Sequence, residues 1–288
     1  MPGTLYLIAT PIGNLEDISL RALRVLREVD LVACEDTRHT RKLLSHFQIN
    51  RPTVSYHEHN ERERAEELVG KLLAGANIAL VSDAGTPLIS DPGYRIVRES
   101  IDRGVAVVPL PGASALITAL SASGLAVSDF FFAGFLPARG GARRARLSDL
   151  ARVRSTLIFY ESPHRIKETV KDALDLLGDR ESVLARELTK LHEQFMRGRL
   201  SDLLSALGEA TVRGELVLIV GPPPDGAQAQ KAESGPISLL SEVESLMERD
   251  KIDQMTALKR AARGRGISKS EAYRQLMSER EQARPEGE

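Results

Sequence analysis

Ile78 to Tyr94 reads IALVSDAGTPLISDPGY, and it changes character after its fourth residue. Ile78 to Val81 is apolar at every position and has the length of a strand. From Ser82 onward the chain is crowded with Asp83, Gly85, Pro87, Asp91, Pro92 and Gly93. An apolar strand without alternation must be covered on both faces, as in the parallel sheets of α/β proteins. Glycine lets a backbone approach a ligand closely, and proline fixes the shape of the loop that does so. A plain connection needs only about four or five residues. The segment is therefore expected to be a ligand-binding loop that leaves a strand and enters a helix over Pro92 to Asp102.

The same alternation extends in both directions. Leu5 to Ala9, Asp30 to Cys34, Thr53 to Tyr56 and Val105 to Val108 read as further strands. Helical spacing of apolar residues marks Ile18 to Val29, and helices are also expected over Thr37 to Phe47, Glu61 to Leu73 and Ala113 to Ser123. This gives an α/β domain over residues 1–125. A second α/β domain over 126–221 has strand candidates at Phe130 to Phe132, Thr156 to Tyr160, Ser182 to Ala185 and Glu215 to Val220, with mixed strand direction possible. Its helices are expected at Arg165 to Leu177 and Leu200 to Leu207. Residues 222–236 have the Pro, Gly, Ala and Gln content of a linker. Residues 237–288 read as a small helical domain, with the outline of a helix-turn-helix between Met255 and Leu276 and a capping box at Ser268 and Glu271.

Composition narrows the function. Hydrophobic residues make up 42% and charged residues 27%, enough apolar content for a packed core. The 39 basic and 40 acidic residues leave a net charge of −1, so nucleic acid is not held by bulk charge, only by a local basic face. The single cysteine, Cys34, excludes an internal disulfide framework and a cysteine-rich zinc module. His57, Glu58 and His59 lack a third ligand at standard spacing, so no metal is expected. No apolar run approaches the roughly 20 residues of a membrane span, and no signal peptide is evident. A cytoplasmic protein is expected.

Several strand-to-helix junctions carry candidate chemistry. Thr10 to Asn14 follows the first strand but has neither a dinucleotide fingerprint nor a P-loop. Pro109 to Ala115 is a tight turn of small residues that suits a flat ligand, although Ser114 can equally cap its helix. In Glu35 to Lys42, Asp36 suits the start of a helix, while Arg38, His39, Arg41 and Lys42 form a basic cluster. Arg139, Arg143, Arg144, Arg146, Arg152 and Arg154 stand against Asp149 alone, which invites phosphate contact or a solvated helix face. Lys259, Arg260, Arg263, Arg265 and Lys269 form a second basic group.

Taken together, TPIGNLEDIS at 10–19, EDTRHTRKLL at 35–44, SDAGTPLISDPG at 82–93, PGASA at 111–115, GFLP at 134–137, YESPHRI at 160–166, RELTK at 186–190 and RGE at 213–215 resemble one family. It is the ribosomal RNA small subunit methyltransferase I family, within the tetrapyrrole-methylase superfamily. The resemblance implies two α/β domains with a cofactor cleft between them and a small helical extension, usually as a homodimer. It implies S-adenosylmethionine as cofactor and the 2′-hydroxyl of a cytidine in the decoding region of 16S rRNA, within the 30S subunit, as substrate. It also implies that Pro11, Asp83, Ala84, Gly85, Ser114, Ala115, Leu188, Gly214 and Glu215 hold the cofactor.

Methyl transfer from a sulfonium needs alignment first and no metal. The ribose hydroxyl must also lose a proton. Candidate bases are Lys190 if its pKa is depressed, Glu187, Asp36 and His164; Lys190, oriented by Glu187, is preferred. Arg38, Arg144, Arg165 and Arg186 are expected to hold phosphates, and Tyr160 to stack on a base. Two rivals fit the sequence less fully. A methyltransferase for a tetrapyrrole-like acid leaves the basic helical tail without a purpose, and a non-catalytic RNA-binding protein leaves the cofactor-type loops without one.

Overall fold

The computed structural model describes residues 1–208, 214–224, 239–265 and 268–282. They fall into two compact units, Met1–Pro223 and Pro224–Glu288. The first unit contains two five-stranded sheets.

In the first sheet, β1 (Thr4–Ile8), β2 (Leu31–Cys34), β3 (Thr53–Ser55), β4 (Ile78–Val81) and β5 (Ala106–Leu110) are all parallel, in the order β3-β2-β4-β1-β5. Alternate residues serve opposite faces. Val32, Cys34, Ala79 and Val81 pack with α1 (Leu20–Glu28) and α2 (Thr37–His46), through Val25, Leu26 and Leu44. Ala33, Ile78 and Leu80 pack with α3 (Glu61–Leu73) and α4 (Tyr94–Asp102), through Leu68, Leu72 and Ile96. Both faces are covered, which is why the β4 sequence is apolar throughout. Ser19 fixes the start of α1 by accepting the Ala22 N–H at 3.1 Å.

The order of the strands positions the site. β1 and β4 are neighbours, yet the chain leaves β1 toward β2 and leaves β4 toward β5, on opposite sides. At such a switch point the loops beyond the strand ends part and leave a crevice. Here they are pinned across it: the Thr10 N–H donates to the Gly85 carbonyl at 2.9 Å, and the Gly85 N–H to the Thr10 carbonyl at 3.0 Å.

The second sheet is mixed. β6 (Phe130–Phe135), β7 (Thr156–Glu161), β8 (Glu181–Arg186), β9 (Gln194–Arg199) and β10 (Leu216–Val220) lie in the order β6-β7-β10-β8-β9, with only the β6–β7 pair parallel. One face is covered by α6 (Gly140–Leu150), α7 (Ile166–Leu177) and α8 (Leu200–Leu207), around Leu147, Val170 and Leu203. The other face, with Ile158, Val183, Val217 and Ile219, packs on α5 (Ala115–Ser121) and on Ile12 of the first loop. The two sheets therefore meet across α5 and that loop. β9 is a strand that the sequence did not announce. It is an edge strand with two arginines and a glycine, so it shows little apolar alternation.

The second unit holds α9 (Leu239–Asp250), α10 (Gln254–Arg265) and α11 (Lys269–Gln282) around Leu239, Val243, Leu258, Ala261 and Leu276. Ser268 accepts the Glu271 N–H at 3.2 Å, one half of the expected capping box. The stretch 225–236 of the expected linker lies outside the described residues.

Candidate active site

The loops after β1, β4 and β5 and the second-sheet segments around 188 and 214 enclose a cleft of about 370 Å³. That is within the usual range for a small-molecule site. Asp83, Ala84, Gly85, Ser114, Ala115, Leu188, Gly214 and Glu215 line it together, as does Tyr160. Pro11 does not. It stands in the wall of an adjoining cavity, and Ile12 is the first-loop residue that reaches the cleft. Ser114 precedes α5 but its side chain makes no cap bond, so of its two possible uses the capping one is not realised.

The cleft loops are held in costly conformations. Leu88, Ser90, Glu187 and Thr189 have φ of 73°, 67°, 51° and 64°, four of the six non-glycine residues with positive φ among those described. Each such residue costs on the order of 1–3 kcal/mol and persists only where its surroundings enforce it. The end of the 82–93 loop is anchored by Glu61, whose Oε1 accepts the N–H groups of Gly93 and Arg95, each at 3.2 Å. Buried Tyr56 donates its hydroxyl to the same oxygen at 3.0 Å. For the 187–190 loop, the Asn14 N–H donates to Thr189 Oγ1 at 3.1 Å, tying the first sheet's loop to the second sheet. Gly13 permits that approach, since a Cβ there would stand 2.5 Å from Lys190 Cγ.

The electrostatics correct the expected base. Lys190 Nζ donates to Glu187 Oε1 at 2.9 Å and Glu215 Oε2 at 3.3 Å. Burial opposes its charge, but the two carboxylates outweigh burial and hold the ammonium above its ordinary range. Lys190 is thus a protonated clamp, not a depressed-pKa base. Glu187, bonded by Lys190, is held below the usual carboxylate range. Asp36 is unsuited to the role as well: its bonds to Arg38 hold it at about 2.

Asp91 is the group that sequence reading passed over. It lines the cleft, and burial, with Glu35 and Asp83 nearby, pushes its carboxyl up to about 6. Burial also raises the Tyr160 phenol, whose oxygen accepts the Leu116 N–H at 3.2 Å. The Tyr160 ring meets Phe132 and Phe135 edge to face.

The arginines divide. Arg165 Nη2 lies 2.6 Å from Glu161, which is buried and also accepts from Thr169 Oγ1 at 2.7 Å. Arg144 pairs with Asp172 at 2.6 Å and Asp175 at 3.0 Å, while Arg143 is buried against Asp172 and Glu168. Arg143 and Arg144 of the basic run are therefore paired with α7, and Arg144 and Arg165 stand as intramolecular ion-pair partners. Arg38 is exposed and pairs with Asp36 at 2.8 Å. Arg186 has a buried Nε without a hydrogen-bond partner. Arg213 and the side chains of Arg263 and Arg265 lie outside the described residues.

Comparison with known proteins agrees with this architecture. The family of Tetrapyrrole (Corrin/Porphyrin) Methylases matches residues 4–204. The ribosomal RNA small subunit methyltransferase I of Halalkalibacterium halodurans is 48% identical over 94% of this chain and 93% of its own. The chain belongs to that family. The Vibrio cholerae member is 58% identical over 75% of this chain and 76% of its own, and the Synechocystis member 47% over 96% and 93%. In fold, the chain is similar to uroporphyrin III C-methyl transferase from Thermus thermophilus, with a TM-score of 0.55 at 23% identity over 76% of this chain and 97% of that one. Another structure of that enzyme is complexed with S-adenyl homocysteine, at TM-score 0.54 and 24% identity, again over 76% of this chain and 97% of that one. Both establish the shared two-sheet fold.

Proposed function

We propose that this protein uses S-adenosylmethionine to methylate the 2′-hydroxyl of a cytidine in the decoding region of 16S rRNA. The observation that carries the reading is the cleft itself. A chain of this family gathers, at a switch point between two sheets, backbone-rich loops and small side chains where its motifs promise a cofactor. The site suits that group chemically. Gly85 has φ of 84° and no side chain to fill the cleft, Ala84 and Ala115 leave room, and Asp83, Asp91 and Glu215 present negative charge to a cation. Asp83, Ala84, Gly85, Ser114, Ala115, Leu188, Gly214 and Glu215 would hold the cofactor. Bound there, it supplies an electrophilic methyl group.

The chain's own residues do the rest. Asp91, ionised at neutral pH yet basic for a carboxylate, takes the proton that the ribose hydroxyl releases. Lys190, Glu187 and Glu215 hold the 187–190 loop to the start of β10, while Thr189 ties it to Asn14 of the first sheet's loop. Tyr160 offers an aromatic ring to a base, and Arg38 and Arg186 are the expected phosphate contacts that remain. The family resemblance supports a cytoplasmic homodimer, which light scattering checks. No helix among the described residues is long and apolar enough to cross a membrane.

The test is methyl transfer from labelled S-adenosylmethionine to 30S subunits from cells lacking the modification, with nucleoside mapping. A tetrapyrrole acid is offered in parallel. Label in 2′-O-methylcytidine at the decoding region is expected. Label only in the tetrapyrrole, or none despite cofactor binding, overturns the reading.

A further inference from the structure

The cleft is a poor place for a polyanion. Asp83, Asp91 and Glu215 line it, and Lys190 and Arg165 are closed on their own carboxylates. The function proposed above, on which this inference rests, therefore needs basic side chains elsewhere for the RNA backbone. They stand on α2. His39, Lys42 and His46 recur at i, i+3 and i+7, which puts them on one helix face. With Leu43 they line a second cavity of about 280 Å³ whose opposite wall is Thr10, Pro11 and Leu15 of the first loop.

All three basic residues are exposed, and no side chain of the three makes an ion pair or hydrogen bond among the described residues. His46 only meets Phe47 edge to face at 4.8 Å. The stripe runs about 10 Å along the helix, longer than one phosphate group and suited to a chain of them. Pro11, Leu15 and Leu43 supply an apolar floor for sugar faces. The acid facing the same space, Asp83, has its Oδ1 engaged by the Asp36 N–H at 3.1 Å, and Asp36 is closed on Arg38. Asp83 also lines the cofactor cleft, so the two cavities share a wall.

We propose that this cavity is a subsite for the sugar–phosphate backbone of RNA, gripping phosphates next to the nucleotide presented to the cleft.

The experiment compares wild type with Lys42→Glu, and with the His39→Ala/His46→Ala double variant, all at solvent-exposed positions. Binding to unmethylated 30S subunits is followed by sedimentation over a range of salt, with the Kd for S-adenosylhomocysteine as control. Lys42→Glu is expected to weaken subunit binding about tenfold and to flatten the salt slope by about one. The cofactor-product Kd stays within about twofold. Polyuridylate should displace wild type from subunits, and polyglutamate should do so much less.

Unchanged binding and salt slope in both variants overturns the subsite. Equal competition by polyglutamate also overturns it, pointing to an acidic protein partner instead. If wild type binds subunits in a Lys42-dependent way but transfers no methyl group, the activity reading falls and the backbone subsite stands. If wild type does not bind subunits, both fall.

Discussion

Lys190 Nζ sits 2.9 Å from Glu187 Oε1, a pair that closes the strained 187–190 loop on itself where Thr189 accepts the Asn14 N–H of the loop after β1. Glu187 is held below its ordinary pKa, so its contribution to stability is present above the usual carboxylate range and lost as pH falls through its lowered value. Lys190 is held above its ordinary pKa, so its contribution is present at neutral pH and lost only as pH rises through that raised value. The clamp is therefore intact across the working range. Lys190→Arg, which keeps the cation, should retain kcat within about tenfold and leave the acid limb of the pH–rate profile in place. Lys190→Gln should raise the Kd for S-adenosylhomocysteine without moving that limb. A limb that vanishes in the arginine variant would restore Lys190 as the base.

Asp91 is expected to define that limb. Its carboxyl is pushed up to about 6, so kcat should rise through that pH as the base ionises. Asp91→Asn should lower kcat by about 100-fold and flatten the acid side of the profile, with cofactor-product affinity little changed. Stability should move the other way. Because the folded-state pKa lies above the unfolded one, the fold loses stability as pH rises from about 4 to about 6. Removing the charge should raise Tm at pH 7. A variant that loses stability while keeping its rate would exclude Asp91 from proton transfer.

The contrast between Asp91 and Lys190 shows what the sequence can and cannot carry. The apolar run Ile78 to Val81 encodes a covered parallel strand locally, which is present, and the loop after it lines the cleft. Whether a lysine is a base depends on which carboxylates meet it, and Glu215 arrives from a distant strand. Asp91 was visible within the loop, but its raised pKa comes from burial and from Glu35 and Asp83. The ion pairs of Arg143 and Arg144 on α6 were hidden from the sequence for a related reason. Their acids, Asp172 and Asp175, lie on α7 and cannot be paired with them by local spacing. Strand β9 escaped because an edge strand need not alternate.

Arg165 should behave as a structural cation. Glu161 is 3% exposed, and Arg165 is the cation that pairs with it. Arg165→Ala leaves that carboxylate without its counter-charge, and a loss of about 3 kcal/mol is expected. Chemical denaturation measures it. Glu161→Gln/Arg165→Ala should cost less than the sum of the single changes, because the neutral amide no longer needs the partner. Strictly additive losses would show that the pair is not coupled.

Gly214 tests the clamp from its other side. Its φ is 89°, and a Cβ there would stand 2.6 Å from Glu187 Cγ. Gly214→Ala must therefore both strain the backbone, by about 1–3 kcal/mol, and push Glu187 off Lys190 and off the Glu215 N–H that it accepts at 3.2 Å. Since Leu188, Gly214 and Glu215 line the cleft, the Kd for S-adenosylhomocysteine should rise about tenfold. Glu187→Ala added to Gly214→Ala removes the collision but not the backbone strain. The double variant should thus recover part of the folding stability while cofactor affinity stays weak, because the clamp is still open. Full recovery of affinity in the double variant would mean that Glu187 contributes nothing to holding the cleft, and that the collision alone was the cause.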